Sequence, residues 1–348
     1  MRVEAVSLDT ELAWETYVAG HPEGTLYHSL RWRRVLEDGF GYRSHHLLAR
    51  TAEGTIEGVA ALFVVRGLAG RRLVAVPFRD RGGPIWSTPE AGLALFEAIQ
   101  PLADRINAGG LVIKTLMPYA PEIAKAAGLR EQYYWVHSDI DLTGQTWEQY
   151  SAALSRKVRH SIREATKNGM TGDDVTEEPD AIDRWYALHL VTQRRLGIPA
   201  FPKRFFEGVK RHLAPAVRVL VVRHRDSDVA TTLILRDRDV VMYAYAASAR
   251  SAGPPAGDLL VSCAIQWAFA EGAQRFDMGS DSPSQSGLLF FKRKWLARQT
   301  AIPTYLGGAA TVGAQDSSSR GYEVARTILR GFPPPLYPLT SLAARLFG

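Results

Sequence analysis

The sequence predicts an α+β fold made by tandem duplication of one unit, followed by a C-terminal extension. Three observations predict it. A chain of 348 residues with 46% hydrophobic and 10% aromatic content can bury more than one ordinary core. The hydrophobic pattern reads helix, helix, three antiparallel strands, helix, strand, helix, and then the same order appears again. A polar break at Leu142-Thr143-Gly144 separates the two passages. The expected domains are therefore 1–144 and 145–306, with 307–348 a linker and tail that pack back on the body. Only the order of elements repeats; the two halves are not alike in sequence.

In the first half, apolar spacing marks helices at Leu8–Ala19 and Leu30–Asp38. Strand-like runs follow at His45–Arg50, Ile56–Val65 and Arg72–Pro77, with a hairpin turn at Ala52-Glu53-Gly54-Thr55. Ser87-Thr88-Pro89-Glu90 opens a helix: serine can cap it, glutamate sits three residues on, and proline fits the first turn. That helix runs to about Asn107 and stops at Gly109-Gly110. Leu111–Leu116 reads as a buried strand and Pro121–Ala127 as a short helix closed by Gly128.

In the second half, helices are expected at Trp147–Asn168, Pro179–Leu196 and Pro202–Leu213. Strands follow at Val217–His224, Val229–Arg236 and Val240–Ala247, the first two joined by a turn at Arg225-Asp226-Ser227-Asp228. Asp258 is expected to cap a helix ending at Glu271-Gly272, and Arg275–Met278 to be the next strand. Gly307–Ser319 has linker composition and Tyr322–Arg330 a helical pattern. The apolar end, Leu336–Phe347, is expected to dock on the body, with peripheral membrane contact as the alternative.

Composition excludes several function classes. Lys and Arg number 42 against 36 Asp and Glu, a mild excess of +6 that matters only where it is concentrated. The single Cys263 has no partner for an internal disulfide and lies in an apolar helical pattern, which predicts a buried inert thiol. There is no leader-like apolar stretch at the start and no run of membrane-spanning length, so a cytoplasmic monomer is expected. The nine histidines show neither H-x-x-x-H nor H-E-x-x-H spacing, and no metal site is expected. Neither G-x-S-x-G nor G-x-x-x-x-G-K-[ST] occurs, which leaves hydrolase and NTPase readings without support.

The chemistry-bearing segments lie mostly in the second half. Ser155–Lys167 carries five basic residues against one acidic, with Arg156, Arg159, Arg163 and Lys167 spaced along one helical stripe beside Lys157. Aligned like charges cost stability, which a phosphate-bearing partner would offset; a solvated basic face is the alternative. Tyr243 and Tyr245 are expected on one face of a strand, because side chains alternate with period two. Arg275–Ser280 ends a strand with the carboxylate of Asp277 near its carboxyl end, and Phe290–Trp295 sets Lys292, Arg293 and Lys294 among aromatics.

Taken together these segments resemble the FemAB family of peptidyl and acyl transferases, which are built from two GNAT-like (acyl-CoA N-acyltransferase-like) domains. Ser155–Gly169 is similar to the family's S-x-K-x-R-x-x-I-R-x-A-x-x-x-G helix. Tyr243–Ser248 matches Y-x-Y-x-A-S, and Asp277–Asp281 is close to the D-x-G-x-S strand end. Gly287, Phe291, Lys292 and Trp295 meet G-x-x-x-F-K-x-x-W. Ser29–Trp32 and Arg81-Gly82-Gly83-Pro84 look like the opening helix and the G-P turn, so the resemblance spans about residues 25 to 306.

The resemblance implies amide-bond formation: an aminoacyl group passes from aminoacyl-tRNA to an amine of a peptide, a peptidoglycan precursor or a natural-product acceptor. It places the family's Phe–Lys pair on Phe291 and Lys292, where the cation would stabilise charge on the reacting acyl ester. Asp277 joins them as a weaker catalytic candidate. Tyr243, Tyr245 and Ser248 would line the acceptor channel, with Arg81 or the pair Arg33 and Arg34 on acceptor phosphates. Arg156, Lys157, Arg159, Arg163, Lys167, Arg293 and Lys294 would hold tRNA phosphates. No resident cofactor is implied.

Acyl-CoA is the rival donor. Arg250–Gly257 begins like the [RQ]-x-x-G-x-[GA] loop of CoA-binding GNAT enzymes, but Pro254 and Pro255 lack the N–H groups that hold a pyrophosphate. A non-catalytic tandem binding a phosphate-bearing ligand is the remaining alternative.

Overall fold

The first half alternates short strands with amphipathic helices in the order β1 (Arg2–Ala5), α1 (Glu11–Gly20), α2 (Leu30–Phe40), β2 (Arg43–Ser44), β3 (Leu47–Arg50), β4 (Ile56–Ala60), β5 (Leu62–Gly67), β6 (Gly70–Ala75), β7 (Ile85–Trp86), α3 (Pro89–Arg105), β8 (Ala108–Lys114), α4 (Pro121–Ala126) and β9 (Arg130–Asp141). This is a computed structural model, and it describes residues 1–67, 70–249, 253–310 and 320–346. The second half continues with α5 (Trp147–Ala153), α6 (Arg156–Lys167), β10 (Met170–Asp174), α7 (Ala181–Leu196), α8 (Lys203–Leu213), β11 (Val217–His224), β12 (Ser227–Asp237), β13 (Val240–Ser248), α9 (Gly253–Ala270), β14 (Arg275–Asp281), α10 (Ser286–Arg293), β15 (Arg298–Gly308), α11 (Arg320–Gly331) and α12 (Ser341–Ala344).

Two units form. The first comprises Met1–Trp135, Ala301–Asp316 and Leu342–Gly348, and the second Val136–Thr300 and Ser317–Ser341. The passage from one to the other falls inside β9, ahead of the break at Leu142-Thr143-Gly144.

In the first unit the run Ile56–Val65 is two strands rather than one. β4 pairs with β3 and β7 in a four-stranded sheet ordered β1-β3-β4-β7, while β5 pairs with β6 and β2 in the other sheet. The chain changes sheet at Ala61, which is wholly buried, so the hydrophobic run stays unbroken while its hydrogen-bond partners change. β8 lies parallel to β6 on one side and antiparallel to β15 on the other. α3 packs Leu95, Phe96, Ile99 and Leu102 onto these strands around Tyr119 and Tyr305. α2 runs two residues beyond Asp38, to Phe40, because Gly41 at φ +69° supplies its left-handed cap; at the other end Ser29 Oγ accepts from Trp32 N at 3.1 Å.

In the second unit the strand order is β10-β11-β12-β13-β14-β9. The single helix expected over Trp147–Asn168 is broken at Leu154-Ser155, where Leu154 is extended and Ser155 Oγ caps the next helix by accepting from Val158 N at 3.3 Å. α9 begins at Gly253, so Asp258 lies inside the helix instead of capping it. One side of the sheet is covered by α5, α6 and α9, whose Tyr150, Val158, Leu260, Ala264 and Ile265 pack with Phe276 and Trp295. The other side carries α7 and α8 with Trp185, Phe205 and Phe206, and against α7 the tail is tied down by Arg194 Nε to Phe332 O (2.8 Å) and Tyr337 Oη to Ile198 O (2.6 Å). Of the expected linker, residues 311–319 lie outside the described residues.

Each unit buries a histidine whose charging opposes folding. Burial lowers His46 and His189 to about 3, with Arg33 adding to the effect at His46. The unfolded chain takes up these protons near 6.5 and the native chain does not, so stability is full above pH 6.5 and falls as pH drops towards 3. Each histidine is expected to remove about 2 kcal/mol by pH 5. Urea melts from pH 8 to pH 5 check this, and an unchanged midpoint would contradict neutral burial.

Candidate active site

The second unit gathers its polar residues where two parallel strands part. β13 and β14 pair only at Val240, Val241 and Met242 against Arg275, Phe276 and Asp277. Beyond that the ladder ends, although β13 continues to Ser248 and β14 to Asp281. β14 also bulges against β9: Asp277 faces Asp139, and the next pair is Ser280 with His137. Gly279, at φ +72°, sits in the bulge, a conformation that L side chains rarely adopt. Its N–H donates to Asp277 Oδ1 at 2.6 Å, so the carboxylate braces the turn it precedes.

Lys292 comes from α10 into this bulge. Its Nζ donates to Gly279 O at 3.0 Å and lies 2.6 Å from Asp281 Oδ2, with both side chains about 10% exposed. A buried cation is thus held by one carboxylate and one carbonyl. His137 Nδ1 is 3.2 Å from Ser280 Oγ, and its Nε2 3.6 Å from Asp277 Oδ1. Lys292, Asp277, Asp281, His137 and Ser280 therefore form one polar cluster at the end of β14. Chemically, it offers a fixed positive charge, one requirement for receiving negative charge that develops on an acyl oxygen. A nearby groove of about 370 Å³, lined by Asp139, Asp141, Arg275 and Arg298, does not include Lys292.

Other expected site residues are placed differently. The tyrosines do not share a face. β12 and β13 slip register between Leu233 and Ile234, so Leu233 opposes Tyr245 while Ile234 opposes Tyr243. The extra residue breaks the period-two alternation. Tyr243 turns to the α9 side, 6.0 Å from Phe276, where burial raises its hydroxyl well above the ordinary range. Tyr245 turns to the α7–α8 side, with Phe206 at 5.3 Å and Phe205 at 5.7 Å. Ser248 is tied to α7, its N–H donating to Thr192 Oγ1 at 2.9 Å and its Oγ accepting from Arg195 at 3.4 Å.

Phe291 packs on the core, and Lys294 lies over its ring at 4.6 Å while pairing with the buried Asp258 at 2.5 Å. That pairing accounts for both the charge of Lys294 and the burial of Asp258. Arg293 is exposed and donates to Gln299 Oε1 at 3.0 Å. On α6, Val158, Ile162 and Ala165 face the core, whereas Arg156, Lys157, Arg163 and Lys167 are exposed and make no ion pair among the described residues. Arg159 instead donates to Ala152 O.

His137 completes the cluster and was not among the residues picked out from the sequence, where Ser280 and Asp281 entered only as part of the strand-end motif. The signal was present: His137, Asp139 and Asp141 alternate along Val136–Asp141, as one face of a strand requires.

These units have known counterparts. Residues 153–293 match the family model described as an acetyltransferase (GNAT) domain. A solved structure titled as FemX aligns with a TM-score of 0.69 at 14% identity, over 88% of this chain and 97% of that one. The fold is a GNAT tandem. A tandem GNAT protein from the clavulanic acid biosynthesis pathway aligns at TM-score 0.59 and 11% identity, over 89% of this chain and 99% of that one. L-PGS from Bacillus licheniformis aligns at TM-score 0.59 and 15% identity, over 95% and 99%. No curated protein matches the sequence.

In the first GNAT unit the predicted phosphate contacts are already engaged or enclosed. Glu11 takes Arg33 at 2.6 Å and Arg34 at 3.7 Å. Arg81 is buried in the turn before Gly82-Gly83, and a Cβ at Gly83 would run into Tyr119 Oη, which donates to Pro84 O at 3.1 Å. Tyr119 is stacked on Tyr305 and cannot retreat freely. Gly83→Ala is expected to destabilise the first unit by about 1–3 kcal/mol, measured by urea unfolding. Among the described residues no group of three or more His, Cys, Asp or Glu could hold a metal ion, and no helix is long and apolar enough to cross a membrane.

Proposed function

We propose that the protein is a GNAT-type acyltransferase that forms amide bonds, taking an aminoacyl group from aminoacyl-tRNA. The acceptor is an amine of a peptide, a peptidoglycan precursor or a natural product. The observation that carries this reading is Lys292, a buried ammonium held at the bulged end of β14 where β13 and β14 part. A neutral amine attacks the acyl carbonyl, the C–N bond forms, and the ester C–O bond breaks with the proton passing to the departing oxygen. Lys292 offsets the negative charge on the acyl and leaving oxygens, and Asp281 with Gly279 O fixes its position. Asp277 acts at one remove, by bracing the bulge. The match of residues 153–293 to the GNAT domain supports acyl transfer. The exposed cations of α6, which make no ion pair among the described residues, support a tRNA donor over a small one.

One observation favours the rival donor, acyl-CoA. α9 begins five residues after β13 ends, the order in the chain that a pyrophosphate-binding helix has. Against it, Pro254 and Pro255 fill the first turn and remove two of its N–H donors. Residues 250–252 of that loop lie outside the described residues.

The test is transfer of labelled amino acids from a pool of charged tRNAs, read by mass spectrometry of the recipient, beside a parallel reaction with acetyl-CoA. Label transfer from tRNA alone is the expected result. Transfer from acetyl-CoA alone would replace the donor, and transfer from neither would overturn the enzyme reading.

A further inference from the structure

Away from any residue assigned above, the first unit contains a groove of about 580 Å³ with an unusual lining. Arg43, Arg66, Arg71, Arg105 and Arg345 surround it together with His45, and no Asp or Glu lines it. None of these arginines makes an ion pair among the described residues. Arg71 donates to the carbonyl of Ile106, at 3.0 Å. Arg345 is anchored by its own carbonyl, which accepts from Tyr42 Oη at 3.0 Å, while its Nε is buried with no hydrogen-bond partner among the described residues. The groove backs onto Phe40 and Tyr42, stacked at 5.3 Å, and Leu342 stands at its rim, 65% exposed.

Several arginines elsewhere on this chain are matched with acids, as Arg33 is with Glu11 and Arg184 with Asp228, whereas none of the five in the groove is so matched among the described residues. Five arginines lining one concavity, with no ion pair among the described residues, repel one another, and an anion in the groove relieves that repulsion. The planar guanidinium fork matches phosphoryl oxygens in geometry as well as charge. The local field is visible on His45, which burial, then Arg43 and Arg105, hold below the ordinary histidine value. The volume is that of a small-ligand site, and its apolar back wall and leucine rim suit a ligand with a non-polar part.

We propose that this groove binds a phosphate-bearing ligand, its phosphoryl oxygens held by the arginines and its apolar portion lying towards Leu342. The phosphate can belong to a free diphosphate compound or to the headgroup of an anionic lipid. The site lies wholly within the first unit and does not depend on the reaction assigned to the second.

The experiment uses the full chain. Pyrophosphate binding is measured by calorimetry, and vesicle binding by co-sedimentation with phosphatidylcholine alone or with about a third phosphatidylglycerol. The exposed pair Arg66→Glu/Arg105→Glu is compared with Arg2→Glu/Lys125→Glu, an equal charge change on the same unit outside the groove. The groove pair is expected to weaken binding about tenfold or more, the control pair to leave it within about twofold, and added salt to weaken it steeply. Pyrophosphate binding without vesicle binding assigns a free ligand. Vesicle binding that needs phosphatidylglycerol and is weakened by Leu342→Ser assigns a headgroup. Equal effects of the two pairs, no binding in either arm, or binding only of a short RNA duplex would overturn the proposal.

Discussion

Lys292→Met is expected to abolish acyl transfer and, at the same time, to destabilise the second unit by about 3–5 kcal/mol. The ammonium and the Asp281 carboxylate are 2.6 Å apart and both nearly buried, so removing one leaves the other charged and without compensation. Lost activity in the single variant is therefore ambiguous. The double variant Lys292→Met/Asp281→Asn removes both charges and is expected to recover most of the stability, measured by urea unfolding, while transfer stays absent. Recovered transfer in the double variant would show that the cation takes no part in the chemistry.

Charge reversal on α6 has the second largest expected effect. The combined change Arg156→Glu, Arg163→Glu and Lys167→Glu should weaken tRNA binding about a hundredfold or more at moderate salt. The slope of log affinity against log salt should fall by about three, near one per lost phosphate contact. All three side chains are exposed and unpaired among the described residues, so thermal stability should stay close to that of the parent chain. Arg159 is left out because it bonds Ala152 O. An unchanged affinity and slope would remove α6 from the donor site.

The pattern of helices and strands was legible because most elements bury one face and say so by period. α7, α8, β11 and β12 fall within a few residues of their expected ends. β9 escaped because Arg130–Asp141 mixes one exposed and two half-buried aromatics with charged residues and has no continuous apolar face. β4 and β5 merged because nothing in an unbroken apolar run announces a change of hydrogen-bond partner at Ala61. The site was half legible. Lys292, Asp277 and Phe291 stood out by type and context, but the partner of Lys292 depends on a bulge, and bulges leave little trace in composition. The same limit hid the parting of Tyr243 from Tyr245, which one inserted residue in β13 brings about.

The ladder between β8 and β15 couples residues that the ribosome makes far apart. Lys114 pairs with Thr304 and Gly110 with Gly308, so the first unit is closed by a strand synthesised after nearly all of the second. During translation β8 must wait with one edge open until that strand emerges, whereas the sheet of the second unit has its own strands in hand by then. The amino-terminal unit is thus the later of the two to be completed, an inversion of the usual order of vectorial folding. A ribosome stalled shortly after residue 290 would carry a first unit that protease still cuts, and release past residue 310 would protect it.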